Sequence, residues 1–482
     1  MKISQIYNLN KTQHELDFVD IDPSKDKRVF LDPFFISTRK YPWCINVSAT
    51  IRSFFQLAID LIKINKINEA RAIFIHLNEP NATCLGLSSG NPSGRGVAGY
   101  QSQKILESII KSKAAKTGVV DDLEDTAIFI ENVDKDKVSD MTTNIIKKHL
   151  IEYTIQQCDL LKIPLENDVP TGFYWDSNSQ KWDEDFAQRL VINQKPILLV
   201  PKMAVSFYKN YISKRYYQHY VLNYLQDENL TNDTSLVRTR KLKDGSIHKF
   251  VTKKDVMEKQ APYSKEFLRQ FTLSHSKIFL NFRLDTSTES TPITNKALEN
   301  IDIQTLVDYL ITQLESIKPG KEQAYEYHDL MIGILEFIFY PNLTNPRKEK
   351  EINDGRKRID ITFDNAAIDG FFFGIHNIHK IPSGYIFCEC KNYFDDPVNP
   401  EIDQLSGRFN VNSSMVGLLI CRTINDEEIF IKRSQDLYKQ KRELIIPITD
   451  KDIKKILLYI KNGELHPEEN ILTEKQRKII VS

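Results

Sequence analysis

A mixed α/β fold is predicted by three observations in the last third of this 482-residue chain. Apolar residues recur at three and four positions over 303–317, the period of a helix with one buried face. Short apolar or alternating runs stand near 358–363, at 384–391, at 416–421 and at 444–446, as strands do. The runs alternate with helical stretches, which gives a mixed sheet flanked by helices. A larger mixed α/β region of undefined fold precedes it.

In the N-terminal region, Ser53 to Ile64 reads as a helix and Ala72 to Leu77 as a buried strand. Five of the chain's 17 glycines fall between Gly86 and Gly99. Residues 102–112 read as helical. Asp140 to Leu160 forms another expected helix, with Ser139 placed as its N-cap. The Asn-, Asp-, Pro- and Gly-containing stretch 165–190 is expected to be loop, and Lys195 to Val200 a short strand.

The middle then changes character. Residues 207–225 hold seven tyrosines or phenylalanines, and 238–254 hold seven lysines and arginines against one acid, Asp244. Tyr216, Tyr220 and Tyr224 recur every four residues, so they are expected in a core. The Thr- and Ser-rich stretch 284–296 is expected to be a linker. These shifts divide the chain into 1–190, 191–296 and 297–482.

In the last part, the helix over 303–317 stops at Pro319-Gly320. A second helix is expected from about Glu322 to Tyr340, and a third over 400–409. Asp450 is placed to cap a helix through Ile453, Ile456, Leu457 and Ile460, closed by Gly463.

Composition excludes several classes. Lys+Arg and Asp+Glu are each 65, so the net charge is zero and a globally basic nucleic-acid-coating protein is excluded. A locally basic groove is not. The six cysteines include no CxxC pair, which argues against a disulfide scaffold and a structural zinc site. No apolar signal core opens the chain, and no run reaches the ~18 apolar residues of a membrane span. The expected compartment is the cytoplasm.

Two segments carry chemistry: Gly355-Arg356-Lys357-Arg358-Ile359-Asp360-Ile361 and Phe387-Cys388-Glu389-Cys390-Lys391. On a strand, Glu389 and Lys391 point to one face, and Cys388 and Cys390 to the other. Two acids and a lysine on neighbouring strands suit phosphodiester hydrolysis. Carboxylates are hard ligands for Mg²⁺, and a lysine beside them orients a water or stabilises developing charge.

These residues resemble the PD-(D/E)xK nuclease superfamily, with Asp360 as the first acid and Glu389-Cys390-Lys391 as the ExK half. The resemblance covers about 320–450 and is closest to the Mrr-like restriction endonucleases. Isoleucine, not proline, precedes Asp360. The resemblance implies a restriction-endonuclease-like domain over 297–482. Asp360 and Glu389, aided by Glu326 and the Cys390 backbone carbonyl, would hold Mg²⁺, for which Mn²⁺ can substitute. Lys391 would orient the water. Glu326 on the preceding helix and Gln404 on the following one match positions that support such sites. DNA is the implied partner, with Arg356, Lys357, Arg358 and Arg408 on its phosphates. Cutting two strands calls for a homodimer. By analogy the role is bacterial restriction or antiviral defence.

Alternatives stay open. Glu389 and Lys391 also fit an exposed strand face, although Tyr385 to Cys388 read as buried on both sides. The fold also fits a module that binds nucleic acid without cutting, or an effector-gated defence nuclease whose first 300 residues sense an infection signal or a protein partner. In the middle region, Lys241, Lys243, Lys253 and Lys254 are expected on phosphates. His328, His376 and His379 lack zinc spacing. Gly94-Arg95-Gly96-Val97-Ala98-Gly99 fits GxGxxG without the strand that should precede it, and reads as a surface loop. The acids from Asp121 to Asp140 read as a solvated surface, with a second metal or effector site as the sharper alternative.

Overall fold

The computed structural model describes residues 1–77, 80–86, 105–110, 120–207, 210–348, 361–396 and 399–481. The chain is mixed α/β, with a five-stranded mixed sheet in its C-terminal part flanked by helices. Asp360, Arg356, Lys357, Arg358 and the glycine-rich stretch around Arg95 lie outside the described residues.

Two hydrophobic cores organise the molecule. The first gathers side chains from Ile3 to Leu298. Residues on both sides of position 190 pack into it together. Its longest helix, α1 (Pro42–Lys63), has the length and hydropathy of a membrane span. Half of that stretch is buried inside the protein, with Val47, Ile51, Phe54, Phe55 and Ile62 in the core. Helix α2 (Lys147–Leu161) packs on a three-stranded antiparallel sheet of Glu166–Pro170, Phe186–Ile192 and Lys195–Ile197.

Several local expectations in this region are corrected. Ala72 to Phe74 end a helix, Ile67–Phe74, rather than opening a strand. Burial falls on Ala70, Phe74 and Leu77, a helical spacing, and Ile75 is exposed. The helix expected from Asp140 starts at Lys135, capped by Asp134, and a break at Ile146 separates it from α2. Ser139 is inside that helix, where its Oγ accepts the Leu31 N–H at 3.1 Å. The stretch 165–190 contains strands, among them the polar Glu166–Pro170 at a sheet edge, where exposed ladder groups tolerate Asn, Asp and Pro.

The 284–296 linker is also corrected. A helix, Ser276–Glu289, runs through its first half. Thr288 and Ser290 donate back to carbonyls four residues earlier, so hydroxyls that suggested a loop are satisfied within a helix. Tyr216 is fully buried as expected, and Tyr220 and Tyr224 pack half-buried against the same core.

The second core lies on the C-terminal sheet. In sheet order the strands are β1 (Leu343–Arg347), β2 (Ile361–Asn365), β3 (Tyr385–Lys391), β4 (Val416–Cys421) and β5 (Leu444–Thr449). β1, β2 and β3 pair antiparallel; β3, β4 and β5 pair parallel. Parallel pairing needs crossovers, and helices at Asn399–Ser406 and Glu427–Lys441 supply them.

The strands alternate faces. Cys388, Leu418, Ile420, Ile446 and Ile448 join the larger core, under α3 (Ile303–Ser316) and α4 (Ala324–Phe339). Phe387, Leu419 and Ile445 face the other way, onto Ile402 and Leu405 of α5 (Asn399–Ser406). Gly417 lets α5 come this close: a Cβ there would stand 2.8 Å from Leu405 Cδ2. Two more helices, α6 (Asp450–Lys461) and α7 (Pro467–Ile480), close the larger core. Thr449, not Asp450, caps α6, because Asp450 accepts the Tyr327 hydroxyl at 2.8 Å and pairs with Arg422 at 3.2 Å.

Buried polar contacts lock the two cores together. Lys202 of the first pairs with Glu336 on α4 at 3.1 Å, and both are about fully buried. Burial pushes the Glu336 carboxyl up to about 8 and the Lys202 ammonium down. The Asp17 carboxylate accepts from Tyr153 Oη, Thr344 Oγ1 and the Asn345 N–H at 2.6, 2.7 and 3.0 Å. Gly333 admits the Lys11–Glu15 segment against α4, where a Cβ would meet Lys11 Nζ at 3.0 Å.

Candidate active site

Glu389 sits on β3, which has a strand paired on each side. Its side chain shares a face with Tyr385, Phe387 and Lys391 by strand alternation. The carboxylate is 2 % exposed and lies between two cations. Lys391 Nζ is 2.8 Å from Oε1, and Arg408 Nη1 is 2.5 Å from Oε2. Gln404 Oε1 accepts from Lys391 Nζ at 3.3 Å. Glu389, Lys391, Gln404 and Arg408 are thus brought together, from a strand, a helix and the turn behind it.

The exposed-face alternative is therefore overturned for Glu389. An unpaired carboxylate would be costly at this depth, and two cations compensate it. Arg408 does not reach it from the expected 400–409 helix. α5 ends at Ser406, and Gly407 and Arg408 form the turn beyond it. Among the described residues, Arg408 Nε and Nη2 are buried without a hydrogen-bond partner. Just after Lys391, the Asn392 amide donates to the Lys318 and Gly320 carbonyls at 3.0 and 2.8 Å. The end of β3 is thereby tied to the turn that stops α3.

Other expected site residues stand elsewhere. Glu326 is exposed in the first turn of α4. The described β2–β3 register ends at Ile361 opposite Cys388, one residue short of Asp360. Among the described residues no three His, Cys, Asp or Glu side chains gather as a metal site. The donor chemistry fits a hard divalent cation in part: Glu389 offers a buried carboxylate, and the fit needs a second acid such as Asp360.

Lys241 and Lys243 are exposed on or beside a two-stranded hairpin, Arg238–Lys241 with Ile247–Phe250. Lys253 Nζ donates to the Gln218 carbonyl at 2.6 Å, and Lys254 lies 3.8 Å from Glu258. The charge of this region is thus partly engaged within the protein. His376 Nδ1 accepts the Ser383 N–H at 3.3 Å, and His379 is exposed.

The acidic stretch is solvated only in part: Asp121, Glu131 and Asp134 are exposed. Glu124 and Asp125 are buried, and Arg283 reaches Asp122, Glu124 and Asp125 at 2.8, 3.7 and 2.6 Å. Tyr211 Oη donates to Asp125 at 2.5 Å. Burial, aided by the neighbouring acids, pushes the Glu124 carboxyl up to about 8.

The feature that residue patterns missed is a cleft of about 1220 Å³ between the two cores. Its floor includes Thr362, Tyr385 and Phe387, and it extends to Arg408 at the Glu389 site. The far wall comes from α2 and the N-terminal strands. Only the tertiary fold brings these segments together, so no motif in one segment announces it.

Residues 8–213 are similar to a family model described as Domain of unknown function (DUF8370). The similarity lies in the first core and stops before the sheet that carries Glu389. No curated protein and no solved structure matches the chain.

Proposed function

We propose that this chain is a metal-dependent nuclease that hydrolyses DNA phosphodiester bonds in the cytoplasm. The observation that carries the reading is the buried Glu389-x-Lys391 pair on an interior strand of a mixed sheet, with Gln404 on the lysine. In this reading Glu389, Asp360 and the Cys390 carbonyl hold Mg²⁺. The reading requires Asp360 to stand beside Glu389, one position past the last described pair. Bound there, the metal would supply charge neutralisation and a more acidic water.

The chain's own groups do the rest. Lys391, held by Gln404, orients the attacking water and stabilises charge on phosphate oxygens. Arg408 pairs with Glu389 at depth and holds it in one position. The exposed Glu326 would support the site only from a distance. The region similar to the uncharacterised domain would carry recognition or effector control. A role in restriction or antiviral defence and a homodimer belong to the same proposal.

A second reading has a specific observation behind it. Both Glu389 oxygens are already engaged by cations, which favours a module that binds nucleic acid without cutting. Incubation of plasmid DNA with Mg²⁺, with Mn²⁺ and with EDTA separates the two. Nicking or linearisation that needs the metal and disappears in Asp360→Asn supports the nuclease. Retained binding without cleavage under every metal condition supports the second reading.

A further inference from the structure

We propose that the cleft between the two cores holds an unpaired nucleic-acid strand and feeds it to Glu389 and Lys391. The proposal rests on the nuclease reading and names its substrate class.

Size is the first argument. At about 1220 Å³ the cleft exceeds the ~300–1,000 Å³ usual for small-molecule pockets, so an extended chain suits it better than one small ligand. Charge is the second. Among the described residues, Lys162, Arg347, Lys348 and Arg408 line it against one acid, Asp159. Two of these cations have open donors. Among the described residues, Arg347 Nε, like Arg408 Nε and Nη2, is buried without a hydrogen-bond partner. These residues line the cleft, and a guanidinium matches the geometry of a phosphate oxygen.

Aromatic surface is the third. Tyr325, Tyr385 and Phe409 line the same cleft. Lys162 Nζ stands 3.7 Å from the Tyr325 ring centre, and Arg347 Cζ 5.3 Å from that of Tyr385. Cations interleaved with aromatic rings are what an unpaired strand uses, with phosphates on the cations and bases on the rings. A duplex hides its base faces in the stack and would leave these rings unused. The path also ends correctly. Tyr385 and Phe387 lie on the cleft floor, Glu389 follows them on the same face of β3, and Arg408 of the cleft wall pairs with its buried carboxylate.

Lys162 lies just beyond α2 in the region similar to the uncharacterised domain. That region therefore supplies one wall of the substrate path. It shapes the active site rather than acting only at a distance.

Fluorescence anisotropy of the full-length protein tests this with a labelled DNA of about 12 nucleotides, within single-strand site sizes. Both the single strand and its duplex are titrated in EDTA. The expected result is about 10-fold tighter binding of the single strand, weakened about 10-fold by Lys162→Glu and similarly by Tyr325→Ala. Both side chains are exposed, so the fold should survive the changes. Equal binding of duplex and single strand, no binding, or wild-type affinity in both variants would overturn the proposal. Because EDTA removes cleavage from the readout, a protein that binds through the cleft but never cuts would refute the nuclease reading alone.

Discussion

Among the described residues, two ionic clusters, one in each core, have opposite charge balance. Around Arg283, three carboxylates gather on one partly buried guanidinium, Arg52 Nε lies 4.0 Å from Asp122, and the remaining negative charge is relieved by a proton on Glu124 and the hydroxyl of Tyr211. Around Glu389, one carboxylate lies between Lys391 and Arg408, and two donors of Arg408 are open among the described residues. The first cluster closes on itself and ties Asp122, Glu124 and Asp125 to the Ser276–Glu289 helix. The second has cationic capacity to spare on the edge of a cleft. A buried charge alone does not mark a site. The unspent donors at the second cluster make it the one expected to meet an anionic ligand.

The largest expected effect breaks the second cluster. Lys391→Met should lower cleavage by roughly 100-fold or more, as loss of a charge-stabilising donor does. The protein should stay folded, because Arg408 still compensates Glu389. A rate near wild type, measured on labelled DNA with Mg²⁺, would remove Lys391 from the chemistry.

The next effect is on stability and concerns the packing of one core on the other. Lys202→Met leaves the buried Glu336 carboxyl without its partner and should destabilise the fold by about 1–3 kcal/mol in urea unfolding. Glu336→Gln should cost less, since the carboxyl already favours its neutral form. Equal small losses would mean that the pair contributes little.

A smaller effect tests the closed nature of the first cluster. The Glu124 carboxyl titrates near 8 in the fold against an ordinary 4.5. The native state therefore keeps a proton that the unfolded chain releases. That contribution is full below about pH 4.5 and is lost as pH rises through 8. The melting temperature should fall less between pH 5 and 8 in Glu124→Gln than in wild type. Parallel pH profiles would place the proton elsewhere.

The smallest effect concerns the lysines on and after the hairpin. On duplex DNA, each phosphate that a lysine neutralises adds about 0.9 to the slope of log K against log salt. Changing Lys241, Lys243, Lys253 and Lys254 together to glutamine should therefore flatten that slope. Lys253 is already held by a backbone carbonyl, so the flattening should fall well short of what four phosphate-bound lysines would give. An unchanged slope would leave the cleft as the binding surface.

The C-terminal elements were legible because their periods are clean. Val416 to Cys421 is a strand over the expected residues, and Ile303 to Ser316 a helix. Glu389, Lys391 and Gln404 come together because alternation on a strand and the following helix are local facts that a residue pattern can express. The N-terminal region was less legible. Its strands at 166–192 are short, polar and partly exposed, so they lack the apolar alternation of a buried sheet. The acids around Glu124 looked solvated because their partner, Arg283, is 158 positions beyond Asp125. The cleft depends on the docking of two cores through Asp17, Lys202 and Glu336, which no short window contains.

The most direct measurement is DNA cleavage by Glu389→Gln and Glu124→Gln, assayed side by side with Mg²⁺ under one set of conditions. Glu389→Gln should lose cleavage while remaining folded, and Glu124→Gln should cut at the wild-type rate. Cleavage retained by Glu389→Gln, or lost only in Glu124→Gln, would contradict the assignment of chemistry to the cation-rich cluster.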